Sequence, residues 1–184
     1  MRINLLKITL LLSISTIYMT AVAGSMSGWK STSDLLAIGL PVAAAGAAWA
    51  NSDTVGLKEF AATLVSTVGV SEILKYSIHK TRPDGSDNRS FPSGHTAVAF
   101  AAVGFIDRRW GDSQPYRPWL YGAAALTGLA RVKADKHHWQ DVMAGAAIGY
   151  ASARWLTTAR DGHTALSAQA LGRAGVLVTW HQSW

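Results

Sequence analysis

Residues 89–100 read RSFPSGHTAVAF. A Pro-Ser-Gly turn stops at His95, and an Ala/Val/Phe run begins at once. The turn residues break the chain and the run has helical composition, so a helix is expected to start near residue 94. His95 then stands in the first turn of a helix that is otherwise apolar. Such a turn presents backbone N–H groups and the positive end of the helix dipole, which together favour an anion. Gly94 lets a ligand or another backbone approach closely. An ordinary Ser93 N-cap with a surface histidine would account for the same letters, so the rest of the chain has to decide.

Working outward, DGSDNRSFPSG (84–94) is a polar loop rich in turn formers. Before it, residues 57 to about 80 form a long helix whose end is set by Pro83. DLLAIGLPVAAAGAAWA (34–50) is an apolar helix with Ser33 or Asp34 as N-cap, and NSDTVG is a turn. Beyond the central helix, 94 to about 107, comes the loop DRRWGDSQPYRP, then helices over 118 to about 131 and about 137 to 157. The tail GVLVTWHQSW alternates weakly, which leaves a strand open. No repeat and no second domain is visible. The expectation is an all-α bundle of five to six helices. Its third and fourth helices carry only about 13 apolar residues each, short of the ~20 of a straight membrane span. Short spans and buried helices of a soluble bundle both stay open.

The N-terminus reads as a targeting segment. MRINLLK is basic, ITLLLSISTIYMT is apolar, and AVAG offers cleavage after Ala23. Residues 5–23 could equally stay as a first transmembrane helix. Both readings export or insert the chain. They divide it into 1–23, a domain over 24–160 and a tail over 161–184. Charged residues make up 15% of the 184 and hydrophobic ones 49%, with eight tryptophans; the mean hydropathy is +0.14. The absence of cysteine excludes disulfides and thiolate metal sites. A net charge of +6 suits anionic partners: nucleic acid, lipid headgroups or phosphorylated small molecules.

Ionisable residues gather at three expected helix ends. In KYSIHKTRP, Lys75 and Arg82 are two helical turns apart and would share a face. In PSGH, Ser93, Gly94 and His95 open the central helix. In ARVKADKHHWQD, Arg131 closes one helix, and His137 and Asp141 stand at i and i+4 on the next, where a carboxylate can orient an imidazole. His138 is at i, i+3 from Asp141. A zinc site of His95, His137 and Asp141 is disfavoured, because two arginines and a lysine converging there would repel a cation.

The order K-x6-R-P, P-S-G-H, R-x5-H-x3-D resembles the signature of the type 2 phosphatidic acid phosphatase (PAP2) superfamily, which also holds bacterial non-specific acid phosphatases and vanadium haloperoxidases. One departure is Ala130, where the family commonly has serine. The resemblance implies that Lys75, Arg82 and Arg131 hold the phosphate oxygens, with Ser93 and the Gly94 amide as neutral donors. It implies His137 as nucleophile, Asp141 as its orienter and His95 as the acid that protonates the leaving oxygen. It further implies no metal, no cofactor, no nucleic acid, and a phosphorylated lipid or small phosphate ester as partner. The setting would be the cell envelope: an inner membrane with a periplasm-facing site, or a soluble periplasmic acid phosphatase after cleavage. A vanadate-dependent haloperoxidase and a non-catalytic anion-binding membrane protein are the remaining alternatives. Nothing in the motifs chooses among phosphorylated lipids.

Overall fold

The computed structural model describes residues 26–111, 115–160, 164–170 and 176–182. The expected signal or first span at 1–23 lies outside them. Five helices follow in order: α1 (Met26–Ala50), α2 (Thr54–Ser77), α3 (Gly94–Trp110), α4 (Arg117–Lys133) and α5 (Trp139–Leu156). Strands β1 (Thr164–Ala170) and β2 (Val176–Gln182) form an antiparallel pair with Thr164 opposite Gln182. The bundle is all-α, as its periodicity suggests, and the weak alternation at the C-terminus is a strand after all.

Local chemistry explains the boundaries. Asp53 caps α2, its carboxylate accepting the Gly56 N–H at 2.8 Å. α4 opens with Pro118 in its first turn, where a missing N–H costs nothing. Three expected boundaries are corrected. α1 begins at Met26 and runs straight through Ser33 and Asp34, so neither is a cap. α2 stops at Ser77, because Ile78 turns extended and Lys80 then pairs with Arg89 as a short parallel bridge. α5 starts at Trp139 with His138 as its N-cap, so His137 lies outside the helix.

α3 is the central helix and packs against the other four. Its Ala97, Ala99, Ala101, Ala102, Val103 and Phe105 are fully buried. Phe105 meets Phe60 of α2, ring centroids 4.7 Å apart, and the edge of Trp110. Against α5 the contact is almost side-chain-free. A Cβ on Gly149 would lie 2.0 Å from the Ala97 carbonyl oxygen, and one on Gly145 would lie 2.4 Å from that of Ser93. The two backbones therefore touch, and α3 and α5 have one permitted separation.

At the end of the bundle where α3 finishes, Arg109 is buried in a forked ion pair with Asp53, both N–O distances being 2.7 Å. Its third nitrogen donates to the Thr158 carbonyl at 2.9 Å, and Glu59 accepts the Thr158 N–H and hydroxyl. This knot ties the α1–α2 turn to the ends of α3 and α5.

The outside of the bundle is apolar in a band. Ile38 and Val42 on α1, Val65 and Ile73 on α2, and Met143 on α5 are all exposed. Trp49, Trp119 and Trp155, each at least 75% exposed, rim the end that holds Arg109; Tyr76 and Trp139 rim the other. Trp139 and Trp155 stand 16 residues apart along α5, about 24 Å at 1.5 Å per residue. Among the described residues α1 is the helix long and apolar enough to cross a bilayer, with a mean hydropathy of 1.4 over its best window.

The bare α3–α5 contact gives a paired prediction. Gly149→Ala overpacks it and costs about 1–3 kcal/mol. Gly46→Ala on α1, where an added Cβ meets nothing within 4 Å, stabilises by up to about 1 kcal/mol. Thermal unfolding of both variants checks this; equal midpoints would contradict the packing described.

Candidate active site

The C-termini of α2 and α4, the N-termini of α3 and α5 and the first turns of α1 meet at one end of the bundle. All eight residues singled out from the sequence lie there, but three of their local geometries differ from expectation.

His137 sits in the short connection between α4 and α5 and is 2% exposed on its side chain. Its Nδ1 lies 2.7 Å from the Ser90 carbonyl oxygen, which can only accept, so Nδ1 carries the proton. Its Nε2 lies 3.2 Å from Nη1 of Arg82, which can only donate, so Nε2 presents a lone pair. The two neighbours demand the same tautomer. Burial first, then the charges of Arg131 and Arg82, pull the ring's pKa down to about 3. The imidazole is therefore neutral at neutral pH, with its free electron pair aimed at a cationic space.

Asp141 was expected to orient His137 directly across one face of α5. The geometry corrects this: their nearest atoms are 3.9 Å apart, since His137 precedes the helix. Asp141 acts one step removed. Its fully buried carboxylate accepts from Ser90 Oγ at 2.5 Å, Lys80 Nζ at 2.6 Å and the His138 N–H at 2.9 Å. Its backbone carbonyl accepts the Ser93 N–H at 2.9 Å. Asp141 thus fixes Ser90, and the Ser90 carbonyl fixes His137. His138 caps α5 and points its Nε2 at the Thr81 carbonyl, 3.2 Å away, rather than into the cluster.

Arg82 does not share a helical face with Lys75, because α2 ends between them. It lies in the loop and is braced by Asp87 at 2.7 Å and the Lys136 carbonyl at 3.0 Å. That loop is tied to the α4–α5 connection by the Lys136–Asp84 ion pair. Lys75 closes α2 with its ammonium on Glu72 at 2.6 Å. The same nitrogen would lie 3.2 Å from a Cβ on Gly94, so it leans over the start of α3 and would have to give way by a few tenths of an ångström to a larger residue there. Ser93 is the N-cap of α3, yet its hydroxyl pairs with Thr96 at 2.9 Å and caps nothing. The first turn of α3 is left without a side-chain cap, facing Lys75. Arg89, just upstream, lies over the ring of Tyr76 at 4.6 Å.

Arg131 is 6% exposed, and its Nε has no hydrogen-bond partner among the described residues. Its Nη1 reaches Ser33 Oγ at 3.3 Å and Asp34 Oδ1 at 3.4 Å. A buried guanidinium so loosely held has donors to spare for an anion. Asp34 also meets His95, Oδ1 to Nε2, at 2.9 Å. Reading the sequence missed Ser90, Lys80, Ser33 and Asp34. A carboxylate and a hydroxyl inside an apolar helix were the available signal for the last two; Ser90 acts through its carbonyl, which no letter shows. Among the described residues no three His, Asp or Glu side chains converge as a metal would need. The arrangement can hold a tetrahedral anion among Arg82, Arg131, Lys75 and the α3 N-terminus, with one neutral imidazole at hand for attack.

A profile of the PAP2 superfamily matches residues 56–165. Lipid A 1-phosphatase of Porphyromonas gingivalis is 42% identical over 76 residues, 41% of this chain and 17% of that protein. Lipid phosphate phosphatase 2 of Arabidopsis thaliana is 41% identical over 34% of this chain and 26% of its own. Lipid A 4'-phosphatase of Helicobacter pylori is 33% identical over 130 residues, 65% of each chain. The chain thus spans about a sixth to a quarter of the first two relatives. The crystal structure of Aquifex aeolicus LpxE shares the fold, with a TM-score of 0.62 over 79% of this chain and 93% of that one, at 20% identity.

The buried neutral His137 sets a pH dependence. Its folded pKa lies below the ordinary 6.5, so the unfolded chain binds the extra proton and stability falls as the pH drops below 6.5. Between pH 6.5 and 5 this amounts to about 2 kcal/mol. Denaturant unfolding should show that loss in the wild type and a smaller one in His137→Asn; identical losses would mean that His137 is not held neutral.

Proposed function

The chain belongs to the PAP2 superfamily, and from that premise we propose that it is a metal-independent phosphatase that releases phosphate from a phosphorylated lipid in the cell envelope. The observation that carries this reading is the tautomer of His137. A neutral imidazole with Nδ1–H fixed on a carbonyl and its Nε2 lone pair turned to the Arg82 guanidinium, with the charge of Arg131 also acting on the ring, is a nucleophile beside a phosphate seat.

In the proposed reaction Arg82, Arg131, Lys75 and the first-turn amides of α3 bind the phosphoryl oxygens. Fixed cations at that seat stabilise the charge of the transition state, which is most of what phosphoryl transfer requires. His137 Nε2 attacks phosphorus as the P–O bond to the leaving group breaks, and His95 gives that oxygen a proton. Water then attacks the phosphohistidine, His95 takes a proton from it, the P–N bond breaks, and phosphate leaves. Asp141 holds His137 through Ser90.

A lipid substrate is supported by the surface. The exposed band between Trp139 and Trp155 suits a bilayer, which puts the site end at headgroup level. A soluble acid phosphatase would gain nothing from such a band. The names of the curated relatives point to the same substrate class. The site end is proposed to face the periplasm. Arg108, Arg117 and Arg160 lie at the opposite end, in keeping with the positive-inside tendency. The agreement is partial: Lys80, Arg89, Lys133 and Lys136 lie at the site end, and ion pairs occur at both ends, Lys80 with Asp141 and Lys136 with Asp84 at one, Arg117 with Asp107 at the other.

Two experiments test this. Purified protein in excess EDTA should release phosphate from at least one of phosphatidate, phosphatidylglycerophosphate, undecaprenyl diphosphate or lipid A. His137→Ala should abolish the release, while His138→Ala keeps at least about a tenth, since loss of a cap costs stability and not chemistry. Activity lost to EDTA and restored by a divalent ion would overturn the metal-free mechanism. For sidedness, Ser86→Cys in the exposed loop should react with an impermeant maleimide while the inner membrane is intact. Labelling only after that membrane is broken would place the site in the cytoplasm.

A further inference from the structure

His95 needs help to act as an acid. Three charged side chains of three other helices surround it: Arg131 of α4, Lys75 of α2 and Asp34 of α1. Burial first, and then the charges of Arg131 and Lys75, disfavour a proton on its ring. Asp34 is the group that opposes them. Its Oδ1 lies 2.9 Å from His95 Nε2 and 3.4 Å from Arg131 Nη1. A carboxylate only accepts, so His95 carries its hydrogen on Nε2 toward Asp34. When the ring is protonated, Nδ1 is the remaining N–H.

We infer that Asp34 is the positioning residue of the acid: it grips Nε2–H of His95, favours the imidazolium, and turns Nδ1–H toward the leaving oxygen. The inference rests on the phosphatase reading above. The proton on Nδ1 passes to the leaving oxygen as the P–O bond breaks and the bond from phosphorus to His137 Nε2 forms. Neutral His95, still held by Asp34, then takes the proton of the attacking water. Asp34 lies in α1, before the residues 56–165 that match the family profile. The second contact has a consequence too. Asp34 shares Arg131 with the proposed phosphate seat, so a phosphate bound there competes with Asp34 for the arginine and leaves more of the carboxylate to His95.

The test exploits leaving groups. An aryl phosphate such as p-nitrophenyl phosphate expels an anion that needs no proton, whereas an alkyl phosphate needs the acid. Asp34→Asn keeps the shape and removes the charge. It should lower kcat/KM on the alkyl phosphate of a short-chain phosphatidate at least about tenfold, within the range general-acid catalysis supplies. On p-nitrophenyl phosphate it should change kcat/KM, which reports the steps up to phosphorylation of His137 and not the shared attack of water, less than about threefold. The basic limb of the pH–kcat profile on phosphatidate should move to lower pH, and Asp34→Glu should return it toward the wild type. Equal losses on both substrates, a profile that does not move, or a gain in activity would each overturn the inference. Should Asp34→Asn fail to fold, the Asp34→Glu profile decides: a basic limb at the wild-type pH together with intact leaving-group selectivity supports the charge role, and selectivity lost despite a retained carboxylate overturns it. A wild type inert on both phosphates would instead remove the phosphatase reading itself.

Discussion

The contact between α3 and α5 is the constraint on which the rest depends. At Gly145 and Gly149 the helices meet backbone to backbone, so no side chain can rotate to accommodate a different spacing. One hydrogen bond, from the Ser93 N–H to the Asp141 carbonyl, then levels the two N-termini. Everything reactive hangs from these ends. Asp141 sits three residues into the α5 side, His95 two residues into α3, and Ser90 and His137 in the loops immediately before them. A shift of α5 by even a fraction of a turn would part Asp141 from Ser90 and release His137.

The chemistry follows from where charge is concentrated. The bundle is apolar inside and, in a band, outside, while Lys75, Arg82 and Arg131 meet at one end and the buried Arg109–Asp53 pair lies at the other. In a low-dielectric surrounding, positive charge without full compensation is costly. Arg131 shows that state most plainly, with a buried Nε that has no partner among the described residues. An incoming phosphate relieves this cost, so binding energy is available at the point where phosphorus must be held. Burial first, and then the same positive charge, keep the His137 imidazole neutral; in the proposed reaction this leaves it nucleophilic and leaves His95 to rely on Asp34.

Much of this was legible beforehand, and the failures have physical causes. PSGH located the start of α3 because turn residues and an apolar run meet there without ambiguity. His137 and Asp141 were read as one helical face because their spacing is helical; the structure instead uses His138 as a cap and sets His137 outside, since an extended backbone there lets its ring reach the Ser90 carbonyl. Ser33 and Asp34 suggest a helix boundary in the sequence because polar letters beside an apolar run usually mark one. They mark the face of α1 that meets Arg131. Ser90 acts through its backbone, which lies beyond any reading of side-chain types.

The central claim is that His137 Nε2 takes the phosphoryl group. Mixing the enzyme with substrate, quenching in base (where phosphohistidine survives) and mapping the phosphoryl group by peptide mass spectrometry tests it most directly. The account predicts a single phosphoryl adduct on His137 during turnover, with the level set by the slower of its formation and hydrolysis. A protein that turns over while His137 stays unmodified, with the phosphoryl group on another residue, would contradict it.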